Sequence, residues 1–244
     1  MYIRKKSLFL IPLLFSLFIF SQDIEEIIVK GEYREKSISE EDSSISIIQS
    51  EKINSQAIKH FQQLSYFVPN LNYAASDSRA RYFQIRGIGE RSGYQGTPNS
   101  SVGFLIDDID YSGQGGIATL FDVDQVEVFR GPQGSRTGAN ALAGLIYIKT
   151  KDPTDKFEGI SELTLGDYGT QNIGVAFGGP LKNKKMKYRL VMRTDYADGF
   201  RKNIYLNKSD TSKKDELTLR YKLDWKIDET TNINFLVSKV DMDD

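Results

Sequence analysis

The 244-residue sequence predicts an α+β domain followed by the opening strands of an antiparallel, membrane-spanning β-barrel. Two observations carry this fold class. Val126–Pro153, VEVFRGPQGSRTGANALAGLIYIKTKDP, reads as a glycine-studded strand–turn–strand. Behind it, about ninety residues alternate apolar and polar side chains with period two, the pattern of strands whose two faces meet different surroundings.

The elements follow in chain order. Residues 1–21 read as an export signal: Arg4, Lys5 and Lys6 precede an apolar run from Leu8 to Phe20. That run falls short of the ~20 residues a spanning helix needs, and small Ser21 suits cleavage near Ser21–Gln22. A membrane-anchored helix is the competing reading of the same run. The absence of cysteine excludes a disulfide framework, a thiolate metal site and a lipoprotein anchor. The single histidine, His60 in QAIKHFQQL, leaves imidazole-based zinc or haem ligation without partners and reads as a partly exposed helical residue. No cofactor or metal is expected. A net charge of −1 supplies no basic field for nucleic acid. Past the signal no stretch is apolar enough for a membrane helix, so any crossing uses strands.

Asp23–Gly31, DIEEIIVKG, is a short extended segment in which Ile24, Ile27, Ile28 and Val29 stand among charges, with Glu25 and Glu26 between them. The Glu-, Ser- and Lys-rich stretch after it has a linker composition, so residues 22–44 are expected to form a peptide on a flexible tether. The peptide reads either as an edge strand of the next domain or as a strand offered to a partner. From Ile45 the chain folds. Ser50–Ile53 predicts a helix start, and Ala57, Ile58, Phe61, Leu64 and Phe67 make one helical face through Gln56–Phe67, which Pro69 ends. Strands are predicted at Phe83–Arg86, Val102–Ile106, Gln125–Phe129 and Leu145–Thr150, with loops at Glu90–Ser101 and Tyr111–Gly116 between them. Residues 45–153 thus make a compact α+β unit of about 110 residues, an ordinary domain size.

Residues 154–244 carry the alternation. Ser161, Leu163 and Leu165 share a face of the first strand, and Ile173, Val175 and Phe177 a face of the second. In the third, Tyr188, Leu190, Met192 and Tyr196 oppose Lys187, Arg189, Arg193 and Asp195. The fourth sets Leu217, Leu219, Tyr221, Leu223, Trp225 and Ile227 against Glu216, Thr218, Arg220, Lys222, Asp224 and Lys226. The fifth, Thr231–Val240, has Ile233, Phe235 and Val237 on one side. A soluble antiparallel sheet shows the same alternation. The membrane reading is favoured by segments of about ten residues and by aromatics toward strand ends (Tyr188, Tyr196, Trp225). Connections also alternate in length, with Asp228–Thr230 and Pro180–Lys185 short and Ala197–Asp215 long. Five strands cannot close a barrel, and one wide enough to hold the preceding unit needs about 22.

These residues resemble the TonB-dependent outer-membrane receptors. Ile24–Val29 looks like the family's TonB box, and FQIRGI at Phe83–Ile88 like the Arg-Gly motif of its plug domain. FLIDDI at Phe104–Ile109 is similar to the Ile-Asp-Gly-Val motif, and Val126–Gly144 to the VEVLRGP…YG…GG signature. Asp108 stands where glycine is common, and Thr137 where tyrosine is common. The resemblance implies that residues 45–153 are a plug and that Ile24, Glu25, Glu26, Ile27, Ile28 and Val29 bind TonB by strand addition. It implies that Arg86 and Arg130 latch the plug to wall glutamates through bidentate guanidinium–carboxylate pairs. Retention of local carbonyls is the plainer role for either arginine. Gly87, Gly131, Gly134, Gly138 and Gly144 are expected in turns or close backbone approaches. The resemblance places Gly89–Asn99 and Tyr111–Gly116 at an outward-facing apex, with Arg91, Tyr94, Tyr111 and Gln114 as candidate contacts for an anionic chelate or polar ligand.

The implied function is energy-coupled uptake of a scarce ligand such as a ferric siderophore across the bacterial outer membrane, with membrane lipid and TonB as partners. A box close behind the signal favours the ferric-chelate and vitamin branch. A passive porin, a barrel-anchored adhesin and a truncated non-transporting fragment remain as alternatives. No enzyme motif is present: Gly131–Gly138 lacks the Lys-Ser/Thr of a phosphate loop, and Gly87-Ile88-Gly89 lacks a dinucleotide context. Asp107, Asp108 and Asp110 lack the spacing of a calcium loop.

Overall fold

The computed structural model describes residues 26–243, except 33, 76–78, 93–98, 115–116, 139 and 183–184. Two strand-rich bodies share one charged seam.

The first body is built on two heptapeptides rich in β-branched and aromatic residues. Nine short strands belong to it: β1 (Ile28–Val29), β2 (Lys36–Ser37), β3 (Ile45–Gln49), β4 (Leu71–Ala74), β5 (Tyr82–Ile85), β6 (Val102–Ile106), β7 (Ile109–Asp110), β8 (Val123–Phe129) and β9 (Gly144–Thr150). The central sheet runs β3-β8-β9-β6-β7, and only β6 and β9 pair in parallel. β8 and β9 are covered on both faces, which explains the nearly unbroken apolar run Leu145–Ile148 of β9, while β8 buries the polar Gln125 and Glu127 among its apolar residues. On one face Phe61 meets Phe83 and Phe104 edge-on, at ring distances of 5.1 and 5.2 Å, over Ile48, Val126, Val128, Ile146 and Ile148. On the other, a second core gathers Val29, Leu105, Phe129, Ala141, Leu145 and Tyr147.

Three expectations are corrected here. The helix expected across Gln56–Phe67 is broken: a helix spans Ser50–Ser55, a second only Phe61–Leu64, and Ser65–Phe67 is a 3-10 turn. Ala57 turns left-handed at φ 50°, and the backbone after it is claimed by a neighbour. Leu120 N donates to Lys59 O at 2.8 Å and Phe61 N to Ala118 O at 3.2 Å. Ile58, Phe61 and Leu64 are nonetheless buried, because the break preserves their common side. His60 is accordingly not mid-helix. It caps the second helix in a reciprocal capping box with Gln63. The tether expected before Ile45 also carries structure, since β2 pairs with β1 and Ile38 N donates to Ile27 O at 3.0 Å.

The second body is one antiparallel sheet, ordered β10 (Glu158–Leu165), β11 (Gln171–Pro180), β12 (Met186–Ala197), β15 (Lys214–Lys226) and β16 (Asn232–Met242). The excursion between β12 and β15, expected as a polar loop, carries a small hairpin of β13 (Arg201–Asn203) and β14 (Lys208–Thr211). Among the described residues, neither β10 nor β16 has a partner on its outer edge, so the wall is open. No helix among the described residues is long and apolar enough to cross a membrane.

The wall inverts the burial of a water-soluble sheet. Arg189, Arg193, Asp195, Glu216, Thr218, Arg220 and Lys222 are buried, whereas Leu163, Leu165, Ile173, Met192, Leu219, Ile233, Phe235 and Val237 are exposed. The charged side of the alternation faces the first body, and the apolar side faces out.

Candidate functional site

The seam between the two bodies is held by ion pairs of opposite polarity in two bands. Near the short turns of the wall, the first body presents carboxylates and the wall presents cations. Asp122, just before β8 and left-handed at φ 60°, is clasped by Arg189, whose Nε lies 2.7 Å from one carboxylate oxygen while Nη2 donates to the other. Arg189 also donates to Glu158 at 2.9 Å. Arg220 stands 3.8 Å from the Asp122 carboxylate and donates to the carbonyls of Phe121 and Asp122 at 3.3 and 3.4 Å. Lys222 Nζ donates to Asp107 at 3.0 Å, Asp152 at 2.9 Å and Thr150 O at 3.1 Å. Burial pushes the Asp152 carboxyl up, yet Lys222 and Lys149 outweigh it and hold the group below the usual carboxylate range.

Toward the long excursion the polarity reverses. Arg79 pairs with Glu216, and Lys59 Nζ donates to Glu162 at 2.6 Å. Arg193 is held bidentately by Asp195 at 2.7 Å and reaches Glu162 at 3.1 Å. Gly174 leaves room for the intrusion between the bands: a Cβ there would lie 2.8 Å from the Phe121 ring, over which Arg193 stacks at 5.3 Å. His60, Asp195 and Glu216 each place a ligand-type atom within 4.8 Å of the others. Both carboxylates already hold guanidinium groups, so this trio is an ion-pair knot. His60 is kept neutral there, because burial first and Arg79 second lower its pKa to about 4.

A second feature is the docked N-terminal segment. Val29 is 0% exposed in the second core. Beside it, Lys30 N and Gly31 N donate to the two oxygens of Glu127 at 2.7 and 2.8 Å. Gln125 Nε2 donates to Ile28 O at 2.9 Å.

The expected site residues distribute as follows. Ile24, Glu25 and Tyr94 lie outside the described residues. Glu26 is exposed, Ile27 and Ile28 are half-buried, and Val29 is sealed in. Arg86 is exposed at φ 53°, and its N–H donates to Asn70 O at 2.9 Å. Arg130 donates through Nη2 to Ile45 O at 3.4 Å, while its buried Nε meets no acceptor. Neither arginine meets a carboxylate among the described residues. Arg91 and Gln114 are exposed, whereas Tyr111 packs on the main core and lines a narrow cleft with Arg220, Thr218 and Leu236. Gly87 and Gly138 have φ of 83° and 69°. At Gly144 a Cβ would fall 2.2 Å from Phe129 O. The expectation fails at Gly131 and Gly134: neither has a left-handed φ, and a Cβ added at either would meet no atom within 4 Å.

Sequence reasoning did not single out Asp107, Asp122, Arg79, Glu216, Arg220 or Lys222 as a seam. The available signal was the charged side of β12 and β15, where ions of both signs alternate with apolar residues that have no reason to face inward.

Residues 37–145 match the family described as TonB-dependent Receptor Plug Domain. The chain is 24% identical over 139 residues to the ferripyoverdine receptor of Pseudomonas aeruginosa, covering 57% of this chain and 16% of that one. It is 23% identical over 174 residues to the pesticin receptor of Yersinia pestis, covering 71% and 25%. The pyoverdine outer membrane receptor FpvA from Pseudomonas aeruginosa, bound to pyoverdine, superimposes with a TM-score of 0.73 at 19% identity, covering 91% of this chain and 31% of that one. Residues 37–145 are therefore a TonB-dependent receptor plug domain, and the chain matches the N-terminal part of such receptors, plug and first wall strands together. It covers less than a third of the length of each of these three proteins.

Proposed function

We propose that this chain forms the plug and first wall strands of an energy-coupled outer-membrane transporter that takes up a scarce ligand, a ferric-siderophore-type complex. The observation that carries the reading is the inverted wall. Its charged side is pinned to the plug by buried ion pairs such as Arg189–Asp122, Lys222–Asp107 and Glu216–Arg79, and its apolar side has only lipid to suit it. A diffusion pore has no use for a lumen filled by a latched domain. The names of the ferripyoverdine and pesticin receptors support a receptor role, and the pyoverdine complex supports the ligand class.

In this reading residues 1–21 direct export, 22–44 hold the TonB-binding strand and its tether, 45–153 form the plug and 154–244 begin the barrel. The N-terminal segment faces the periplasm, where Ile24–Val29 joins TonB as an added strand. Cargo rests first on the outer loops and on Arg91, Tyr94, Tyr111 and Gln114. Arg86 and Arg130 pair with glutamates of further wall strands, and the orphan Nε of Arg130 supports that assignment. The test is uptake of radiolabelled ferric chelates by iron-starved cells carrying the full receptor with and without residues 23–31. Uptake is expected to need the segment. Uptake that persists without it, or no capture of any ferric chelate, overturns the reading.

A further inference from the structure

We propose that Glu127 is a clamp for the N-terminal strand: its carboxylate holds the segment Ile28–Gly31 closed on the plug and thereby limits how much of it a periplasmic partner can reach before cargo binds. The proposal rests on the reading of Ile24–Val29 as the partner-binding strand.

Glu127 is the middle of Val126-Glu127-Val128, and all three residues are 0% exposed. A carboxylate at such a place needs donors, because burial alone pushes its pKa up. The donors come from the strand it holds. Lys30 N and Gly31 N each take one oxygen, at 2.7 and 2.8 Å, and Gln125 Nε2 donates to both the carboxylate and Ile28 O. The geometry also fixes the docked residues. A Cβ on Gly31 would lie 2.6 Å from Glu127 Oε2 and 2.7 Å from the Phe129 ring, so a side chain there would force the carboxylate or the ring to shift. Val29 meanwhile fills the second core beside Phe129 and Tyr147. Every polar group in the clamp regains hydrogen bonds from water once the strand leaves, so the contact is closed but reversible.

The experiment uses the full-length receptor in detergent micelles without cargo, as wild type, Glu127→Gln and Glu127→Ala. Hydrogen exchange of the Lys30 and Gly31 amides is read beside that of β8, and binding of TonB's C-terminal domain is titrated in parallel. The alanine variant is expected to exchange these two amides at least tenfold faster and to bind TonB without cargo about tenfold more tightly. Glu127→Gln keeps one acceptor in the same shape, so that variant should fall between. Unchanged exchange at Lys30 and Gly31 overturns the clamp, and so does an acceleration spread equally over β8 and β9. If a synthetic peptide of residues 23–31 fails to bind TonB while the two amides still respond to Glu127→Ala, the clamp stands and the partner assignment falls.

Discussion

Neutralising Asp122 should unfasten the plug from the wall at one identifiable place. Its side chain is 0% exposed and that of Arg189 only 3%, so the pair sits where water cannot screen it. Asp122→Asn is the cleanest perturbation, because asparagine tolerates the left-handed backbone at φ 60° and keeps the volume. Removing one partner of a buried pair costs about 3–5 kcal/mol. The retained contact of Arg189 with Glu158 puts this case at the lower end, about 3 kcal/mol. At 1.4 kcal/mol per tenfold, local opening should then raise hydrogen exchange of the 121–129 segment by roughly a hundredfold. Arg189→Met should do the same from the other side. Once the pair is gone the second substitution has little left to remove, so the double variant should resemble either single one, with a coupling of about 3 kcal/mol. Single effects below threefold, or effects that add within about 0.5 kcal/mol, would refute the latch.

Three further outcomes follow from the same geometry. His60 titrates near 4 in the folded protein against 6.5 ordinarily, so the unfolded state binds more protons in that interval. Plug stability should be flat above pH 6.5 and fall by up to about 3 kcal/mol toward pH 4, and His60→Asn, which keeps a capping acceptor, should flatten the profile in a pH series of unfolding. Lys222→Met leaves Asp107 with only its bonds from Thr150, and limited proteolysis should cut faster around residues 107–110 and 150–156, consistent with a loss of about 2 kcal/mol. Gly144→Ala forces a methyl to 2.2 Å from Phe129 O and should lower the melting temperature sharply, whereas Gly134→Ala, with nothing within 4 Å, should change stability by less than about 0.5 kcal/mol.

Much of the wall was legible because alternation is a local property. The run from Glu216 to Ile227 declares two faces whatever surrounds it, and only the identity of the inward face had to come from structure. The seam was not legible, since Asp122 finds Arg189 across 67 positions and Lys222 finds Asp107 across 115. No spacing rule announces such pairs. The helix break at Ala57 escaped for a related reason: the residues that claim the Lys59 carbonyl and the Phe61 amide lie about sixty positions downstream, while the side-chain period continues through the break. β1 and β2 are two residues each, too short to carry any period, so composition alone suggested a tether. Arg86 and Arg130 were expected to be the latch from likeness to other receptors, whereas the five wall strands here are fastened through acids and bases of this chain's own.

β8 joins the two functional contacts. Glu127, which holds the N-terminal strand, and Asp122, which holds the wall, are five positions apart, about 16 Å along an extended chain. The bonds at Glu127 lie one after another along the strand they hold, and hydrogen bonds to a charged group are each worth about 1.5–3 kcal/mol net. Asp122, Asp107 and Arg79 are instead fastened at separate points of the wall, where a displaced plug must break several buried pairs together. A pull on the N-terminal segment should therefore peel it from Glu127 first and load the seam only afterwards. Single-molecule pulling from a residue-23 attachment on the reconstituted receptor should show two events. Glu127→Ala should weaken the first and leave the second, and Asp122→Asn should lower the second alone. A single event shifted equally by both substitutions would mean that the clamp and the latch yield as one unit.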